Sequence, residues 1–144
     1  MLRLTTRIDY GVRALVRLGE IGQGNVLTAA EISQKEGIPI QFLEQILVTL
    51  RRSGLIRSVR GPGGGYTLSK PASQLTLKEI FDVLEGSTAL IRCLDPLSLE
   101  RCERESNCTA RLLFQKMQDQ LDTLLKETSL EDLILMGQEA GALS

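Results

Sequence analysis

The chain has no histidine and no tryptophan. Without histidine there is no imidazole to act as a general base near neutral pH, and none to ligate a metal. Aromatics make up 3% of the 144 residues, so the core must be aliphatic. No run of about 18 uncharged apolar residues occurs, so no membrane span is expected. The N-terminus has no apolar h-region, so no secretory signal is expected and cytoplasmic residence follows by default. No Gly-Lys-Ser/Thr follows the glycine-rich run, which excludes a phosphate-binding Walker loop. No nucleophile–base pair, catalytic carboxylate pair or cofactor loop stands out, so an enzyme is not expected. Internal repeats and low-complexity segments are absent.

What is there is unevenly spread. Hydrophobic residues make up 42% of the chain, enough for one domain, or one domain with a helical extension. The net charge of −1 hides an asymmetry. Residues 1–70 carry ten Lys/Arg against five Asp/Glu, and residues 71–144 carry seven against thirteen. One half is therefore +5 and the other −6. A basic half suits a polyanion, and the acidic overall balance does not exclude nucleic acid.

The basic charge gathers in residues 38–70, IPIQFLEQILVTLRRSGLIRSVRGPGGGYTLSK. Leu43, Ile46, Leu47 and Leu50 follow the i, i+3, i+4, i+7 pattern of a buried helical stripe. Pro39 suits the first turn and Gly54 the position just past the end. Gln41, Glu44, Gln45, Val48 and Arg52 fall on the opposite face. That face is either simply solvated or a reader of base edges, since Gln can pair bidentately with adenine and Glu can accept from cytosine N4. Two short strands follow, Ile56 to Arg60 and Tyr66 to Lys70, around a tip with four glycines in five residues. Glycines such as Gly63 and Gly64 permit close backbone approach to another surface. Arg60, at the base of the tip, is placed to enter a minor groove, with neighbouring N–H groups on phosphate. Helix, turn and glycine-tipped hairpin together read as the second half of a winged helix-turn-helix.

The other elements follow in order. Thr6 is placed to cap a first helix with Asp9 at N3 and Ile8, Val12, Leu15, Val16 and Gly19 inward. Thr28 to Glu31 forms a capping box for a short second helix that stops at Gly37. Thr76 to Glu79 forms another, opening a helix with Leu77, Ile80, Phe81 and Leu84 inward. A long helix is expected from Ala110 to Thr128. Its residues Ala110, Phe114, Met117, Leu121 and Leu124 are spaced 4, 3, 4, 3, a heptad seam widened by Leu113 and Leu125. So broad an apolar face needs cover, from its own domain or from a second copy in a homodimer. Thr128 to Glu131 is expected to cap a last short helix. The fold expected is mainly α with a small β-hairpin wing: a winged helix-turn-helix plus a long C-terminal dimerisation helix. The segments are 1–86 for DNA binding, 87–109 for a cysteine-bearing loop and 110–144 for helical dimerisation.

All three cysteines, Cys93, Cys102 and Cys108, lie in that loop. Three thiols cannot pair evenly into disulfides. Clustered thiolates suit a soft metal, either an iron–sulfur cluster or zinc, but three ligands do not complete a four-ligand site. Redox-active or incidental thiols are the alternatives.

The stretches LRLTTRIDYGVRAL, FLEQILVTLRRSGLIRSVRGPGGGY and LTLKEIFDVLEG resemble the IscR/NsrR-type (Rrf-two) family of winged-helix transcription regulators, which includes RirA- and CymR-like proteins. The resemblance covers nearly the whole chain, and the FLEQ-to-RGPGGGY block is its specific part. It implies a dimeric regulator of double-stranded DNA whose long C-terminal helices cross. It implies Gln41, Glu44 and Gln45 as readers, with Arg60 in the wing. The position of Pro39 varies with target sequence in the family, so operator choice does not transfer. Cluster-binding members carry three cysteines in this loop, which implies a [2Fe–2S] or [4Fe–4S] cluster on Cys93, Cys102 and Cys108. Here the gaps are eight and five residues, the first longer than in IscR-type members. Those members take a fourth ligand from a histidine three residues after the last cysteine, where this chain has Arg111. NsrR-type members use an aspartate in the first helix of the partner subunit, and Asp9 occupies the matching place. Asp9 also has a purely structural role open to it, at the positive end of a helix.

The leading expectation is a DNA-binding regulator controlled by an iron–sulfur cluster. A cluster-free regulator sensing thiol oxidation or a partner protein is the second. A winged-helix protein-interaction module is the third, and steep salt dependence of DNA affinity would separate it from the others.

Overall fold

The structure, a computed structural model, describes residues 2–143. Met1 and Ser144, the outer limits of the first and last segments, lie outside the described residues. The described residues form six α-helices, one antiparallel hairpin and two short 3-10 turns, and none of these helices is long and apolar enough to cross a membrane. The fold is a mainly helical winged helix.

The first helix, α1 (Thr6–Glu20), starts one residue earlier than its polar spacing predicts. Thr5 is the cap, accepting from the Ile8 N–H, so Asp9 sits one position beyond N3. The buried face is also rotated: Ile8, Gly11, Ala14, Leu15 and Leu18 point inward, while Val12 and Val16 are only partly covered. A Cβ at Gly11 would meet the Leu84 side chain, which would have to shift to admit it. The second helix, α2 (Ala29–Glu36), has the reciprocal capping box of Thr28 and Glu31 and stops at Gly37 in the left-handed conformation. The third, α3 (Ile40–Arg52), buries Leu43, Ile46, Leu47 and Leu50 as its period requires. Pro39 is its N-cap and not its first helical residue.

Strands β1 (Ile56–Val59) and β2 (Gly65–Leu68) pair with Ile56 opposite Leu68 and Val59 opposite Gly65. Leu27 exchanges two backbone hydrogen bonds with Tyr66, at 3.1 and 2.7 Å, which pins the wing to the segment before α2. A Cβ at Gly64 would run into the carbonyls of Val59 and Gly61, so this glycine is required by the hairpin itself.

Helix α4 (Leu77–Glu85) has the predicted capping box of Thr76 and Glu79 and buries Ile80 and Leu84. After the cysteine loop, α5 (Thr109–Glu127) leads into α6 (Leu130–Glu139). The last helix is capped by Ser129 with Asp132, one residue after the expected Thr128. Two long-range bonds bring this region back to the start of α4: Leu77 N–H to Thr128 O at 2.9 Å, and Leu130 N–H to Leu75 O at 2.8 Å. Leu130 and Ile134 thereby join the same aliphatic core as Leu15, Leu47 and Ile80.

Candidate nucleic-acid interface and cysteine cavity

Burying one stripe of α3 leaves Gln41, Glu44, Gln45, Arg51 and Arg52 exposed. The wing adds exposed Arg57 in β1, exposed Arg60 just past the end of that strand and exposed Gly63 at its tip, with Gly64 half-buried beside it. Arg13, Arg17, Lys70, Lys78, Arg92 and Arg111 all sit within 4.0 Å of a carboxylate. Among the described residues, Arg51, Arg52, Arg57 and Arg60 form no ion pair. Several cations outside α3 and the wing, Arg3, Lys35, Arg101 and Lys116 among them, also lack an ion pair among the described residues; what marks the α3 and wing cations is that they gather on one face. Unneutralised cations gathered on one face are the electrostatic footprint of a polyanion site. Phe42, 57% exposed beside the glutamines, is a large apolar residue on this surface that the stripe argument passes over. Its signal was available, since it falls outside the Leu43–Leu50 period.

Arg7 ties this helix to its neighbours. Its Nε donates to the Leu84 carbonyl at 3.0 Å and its Nη2 to Thr49 Oγ1 at 3.3 Å, while Thr49 donates to the Gln45 carbonyl at 3.1 Å. At the other edge of the block, Lys70 pairs with Glu79 at 3.0 Å. Partial burial alone would raise the Glu79 carboxyl. The Thr76 N–H and the Lys70 ammonium outweigh it and hold the group below the usual carboxylate range.

Asp9 is held by Arg13 at 3.2 Å, and Arg13 also pairs with Glu36 at 3.2 Å. Partial burial alone would lower the Arg13 guanidinium. The hydrogen bonds of Glu36 and then Asp9 outweigh it and keep its pKa above the ordinary arginine value.

The three cysteines meet elsewhere. Cys93 lies in a short 3-10 turn (Arg92–Leu94), Cys102 is exposed in the loop, and Cys108 is the N-cap of α5. All three thiols are free and line one cavity of about 350 Å³, with Ile91 and Phe114 as apolar wall and Arg111 beside them. Asp9 is not among the lining residues. Among the described residues, no three Cys, Asp or Glu side chains converge on a single metal-ion position. The thiols surround a volume; they do not point at one atom.

The outer guanidinium nitrogens of Arg111 face Glu105, with Nη2 at 3.3 Å from its carboxylate and Nη1 at 3.5 Å from its carbonyl. Arg111 Nε is buried without a partner. The loop is anchored to α5 by Gln118, 6% exposed, which accepts from Leu90 N–H at 2.7 Å and donates to the Thr88 carbonyl at 3.0 Å. A glutamine in the series Phe114, Gln118, Leu121, Leu125 was the legible sign of this anchor. The heptad seam itself is split. Phe114 and Leu121 are half-buried and Leu125 is buried, whereas Leu113, Met117 and Leu124 are 58%, 39% and 60% exposed.

Residues 4–135 match the Rrf2 family, described as iron-dependent transcriptional regulator. The chain belongs to the Rrf2 family. It is 35% identical over 133 residues to the HTH-type transcriptional regulator IscR of Photorhabdus laumondii, covering 92% of this chain and 79% of the relative. Among solved structures it resembles CymR, the global cysteine regulator of B. subtilis, with a TM-score of 0.80 and 30% identity over 94% of this chain and 98% of that one. T. potens IscR superposes with a TM-score of 0.78 at 26% identity, covering 96% of this chain and 90% of that one. As an Rrf2 protein the chain is a DNA-binding transcriptional regulator of IscR-like type and not an enzyme.

Proposed function

We propose that this Rrf2 regulator acts as a homodimer whose grip on a specific operator is set by an iron–sulfur cluster on Cys93, Cys102 and Cys108. The observation that carries the reading is the single cavity lined by all three thiols. A cluster distributes its thiolate ligands over two or more iron atoms, so thiolates spread around a volume fit it better than they fit one zinc ion. The cluster would supply a centre sensitive to oxygen, nitric oxide, redox state or iron supply. The segment division follows: 1–86 holds DNA, 87–109 holds the sensing thiols and 110–144 pairs the subunits.

Gln41, Glu44 and Gln45 are the proposed base readers. Arg52 and Arg60 serve the backbone and minor groove, and Gly63 and Gly64 allow the wing tip to approach phosphate. Asp9 is the proposed fourth ligand, from the partner subunit. That role requires it to leave Arg13, with which it pairs in the free chain. Exposed Leu113, Met117 and Leu124 on α5 support pairing through that helix. Met117→Glu should convert a dimer to a monomer in sedimentation; an unchanged mass would remove α5 from the interface.

The test of the cluster is anaerobic purification of wild type and Cys102→Ala, with visible absorption and iron and sulfide analysis. Colour with stoichiometric iron and sulfide, lost in the variant, is expected. A colourless wild type, even after reconstitution, would sink the cluster. The second reading is then thiol sensing, favoured by the exposure of Cys102 and the likeness to CymR, one of whose S. aureus structures is of an oxidized form (TM-score 0.74, 28% identity).

A further inference from the structure

Aromatic side chains are scarce in this chain: three phenylalanines and two tyrosines. Tyr10, Tyr66 and Phe81 pack against the aliphatic core, and Phe114 lines the cysteine cavity. Phe42 does neither, and it is the one aromatic among the described residues that is exposed. A single exposed apolar side chain is ordinary on a protein surface. The place of this one is not. It stands in the first turn of α3, and the N-terminal residues of a recognition helix are those that meet base edges. Gln41 precedes it, with Ile40, 39% exposed, on the far side of that glutamine. Gln45, three residues on, is its neighbour along the helix surface. The surface continues into Arg51, Arg52, Arg57 and Arg60, which form no ion pair among the described residues. Unpaired cations around an aromatic ring suit duplex DNA better than an apolar protein partner. The apolar group that the major groove offers such a ring is the C5-methyl of thymine.

We propose that Phe42 is a specificity-determining residue whose ring covers the C5-methyl of a thymine adjoining the base pairs read by Gln41 and Gln45. The inference rests on the reading of α3 as the helix that enters the major groove, and it is independent of the cysteines. The glutamines recognise by hydrogen bonds, which discriminate donors from acceptors. The ring recognises by removing water from two apolar surfaces, which discriminates a methyl group from its absence. It touches no phosphate and releases no counterion, so its share of the affinity does not change with salt.

The test begins with operator duplexes selected from a random pool by the full chain. Each thymine of the selected duplex is then replaced singly by deoxyuridine, which deletes the methyl and leaves the hydrogen bonds of the pair in place. Wild type is expected to bind one of these duplexes about fourfold more weakly than its parent, the worth of one buried methyl group. Phe42→Ala should bind the parent more weakly, with an unchanged salt slope, and should no longer distinguish it from that deoxyuridine duplex. Phe42→Leu keeps an apolar side chain and should retain part of the ratio. A wild type indifferent to every replacement would overturn the inference. So would a Phe42→Ala variant that keeps the full thymine-to-deoxyuridine ratio, since another side chain would then cover the methyl. If Gln45→Ala relaxes specificity in the same assays, either result removes Phe42 alone and leaves α3 as the reader. A pool from which no sequence is enriched would overturn the reading of α3 and this inference together.

Discussion

The DNA-binding block and the cysteine loop are built by opposite rules. From Thr5 to Glu85, capped helices and a paired hairpin surround side chains such as Leu15, Leu43, Leu47 and Ile80, none of which is exposed at all. From residue 87 to 108 no residue is buried, and Leu97 and Leu99 are 66% and 100% exposed. The loop holds itself with short polar contacts such as Ser87–Asp95 at 2.9 Å and Arg92–Glu100 at 2.6 Å. The first region keeps its shape by apolar burial and needs no ligand. The second has little burial to hold it, so whatever occupies the thiols has the larger say in its shape.

Leu47→Ala and Leu99→Ala would break this comparison most directly. Denaturant unfolding should show the first losing about 2–5 kcal/mol through lost burial and a cavity. The second should stay within about 0.5 kcal/mol. Equal losses would mean that the loop is as structural as the core.

A smaller effect separates the two regions by function. Gln45→Ala should weaken operator binding by about 1–3 kcal/mol and relax discrimination at one base pair. Arg52→Ala should weaken all sequences alike and reduce the salt slope by about 1. Competition titrations against single-base operator variants at several salt concentrations check both. A loss of specificity from Arg52→Ala and none from Gln45→Ala would reverse the assignment.

The smallest effect sharpens the boundary of the block. Glu79 has a lowered carboxyl pKa, so its contribution is present above the ordinary unfolded value. It fades as pH falls through the lower folded value. Glu79 is 45% exposed, so screening keeps its pairing with Lys70 below about 1 kcal/mol. Glu79→Gln should therefore lower melting temperature slightly at pH 7 and flatten its acid decline. A parallel downward shift at every pH would assign Glu79 to packing alone.

Local chemistry was legible in the sequence and distant pairing was not. The capping boxes at Thr28 and Thr76 were readable because both partners lie three residues apart. Thr5 and Ser129 were missed in favour of Thr6 and Thr128 because adjacent hydroxyls satisfy the same rule, and the packing angle decides between them. The α3 stripe was readable from its period. The split of the α5 face was not, because the loop covers one side of it through Gln118 and leaves the other bare. Three cysteines in one loop gave no periodicity from which a shared cavity could be drawn.

The junction of α5 and α6 has a mechanical meaning. Buried Leu125 and the bonds of Thr128 and Leu130 to Leu77 and Leu75 fasten one end of α5 to the DNA-binding block. Cys108 caps the other end. A 19-residue helix is about 28 Å long. It is a lever with its fulcrum at the foot of the winged domain and its handle at a thiol. A 1 Å pull at the handle corresponds to a tilt of about 2° over the length set by that rise per residue. Under the proposed function, a change at Cys108 would become an angle between rigid bodies, which two paired copies would read as a change in the distance between their DNA-binding faces.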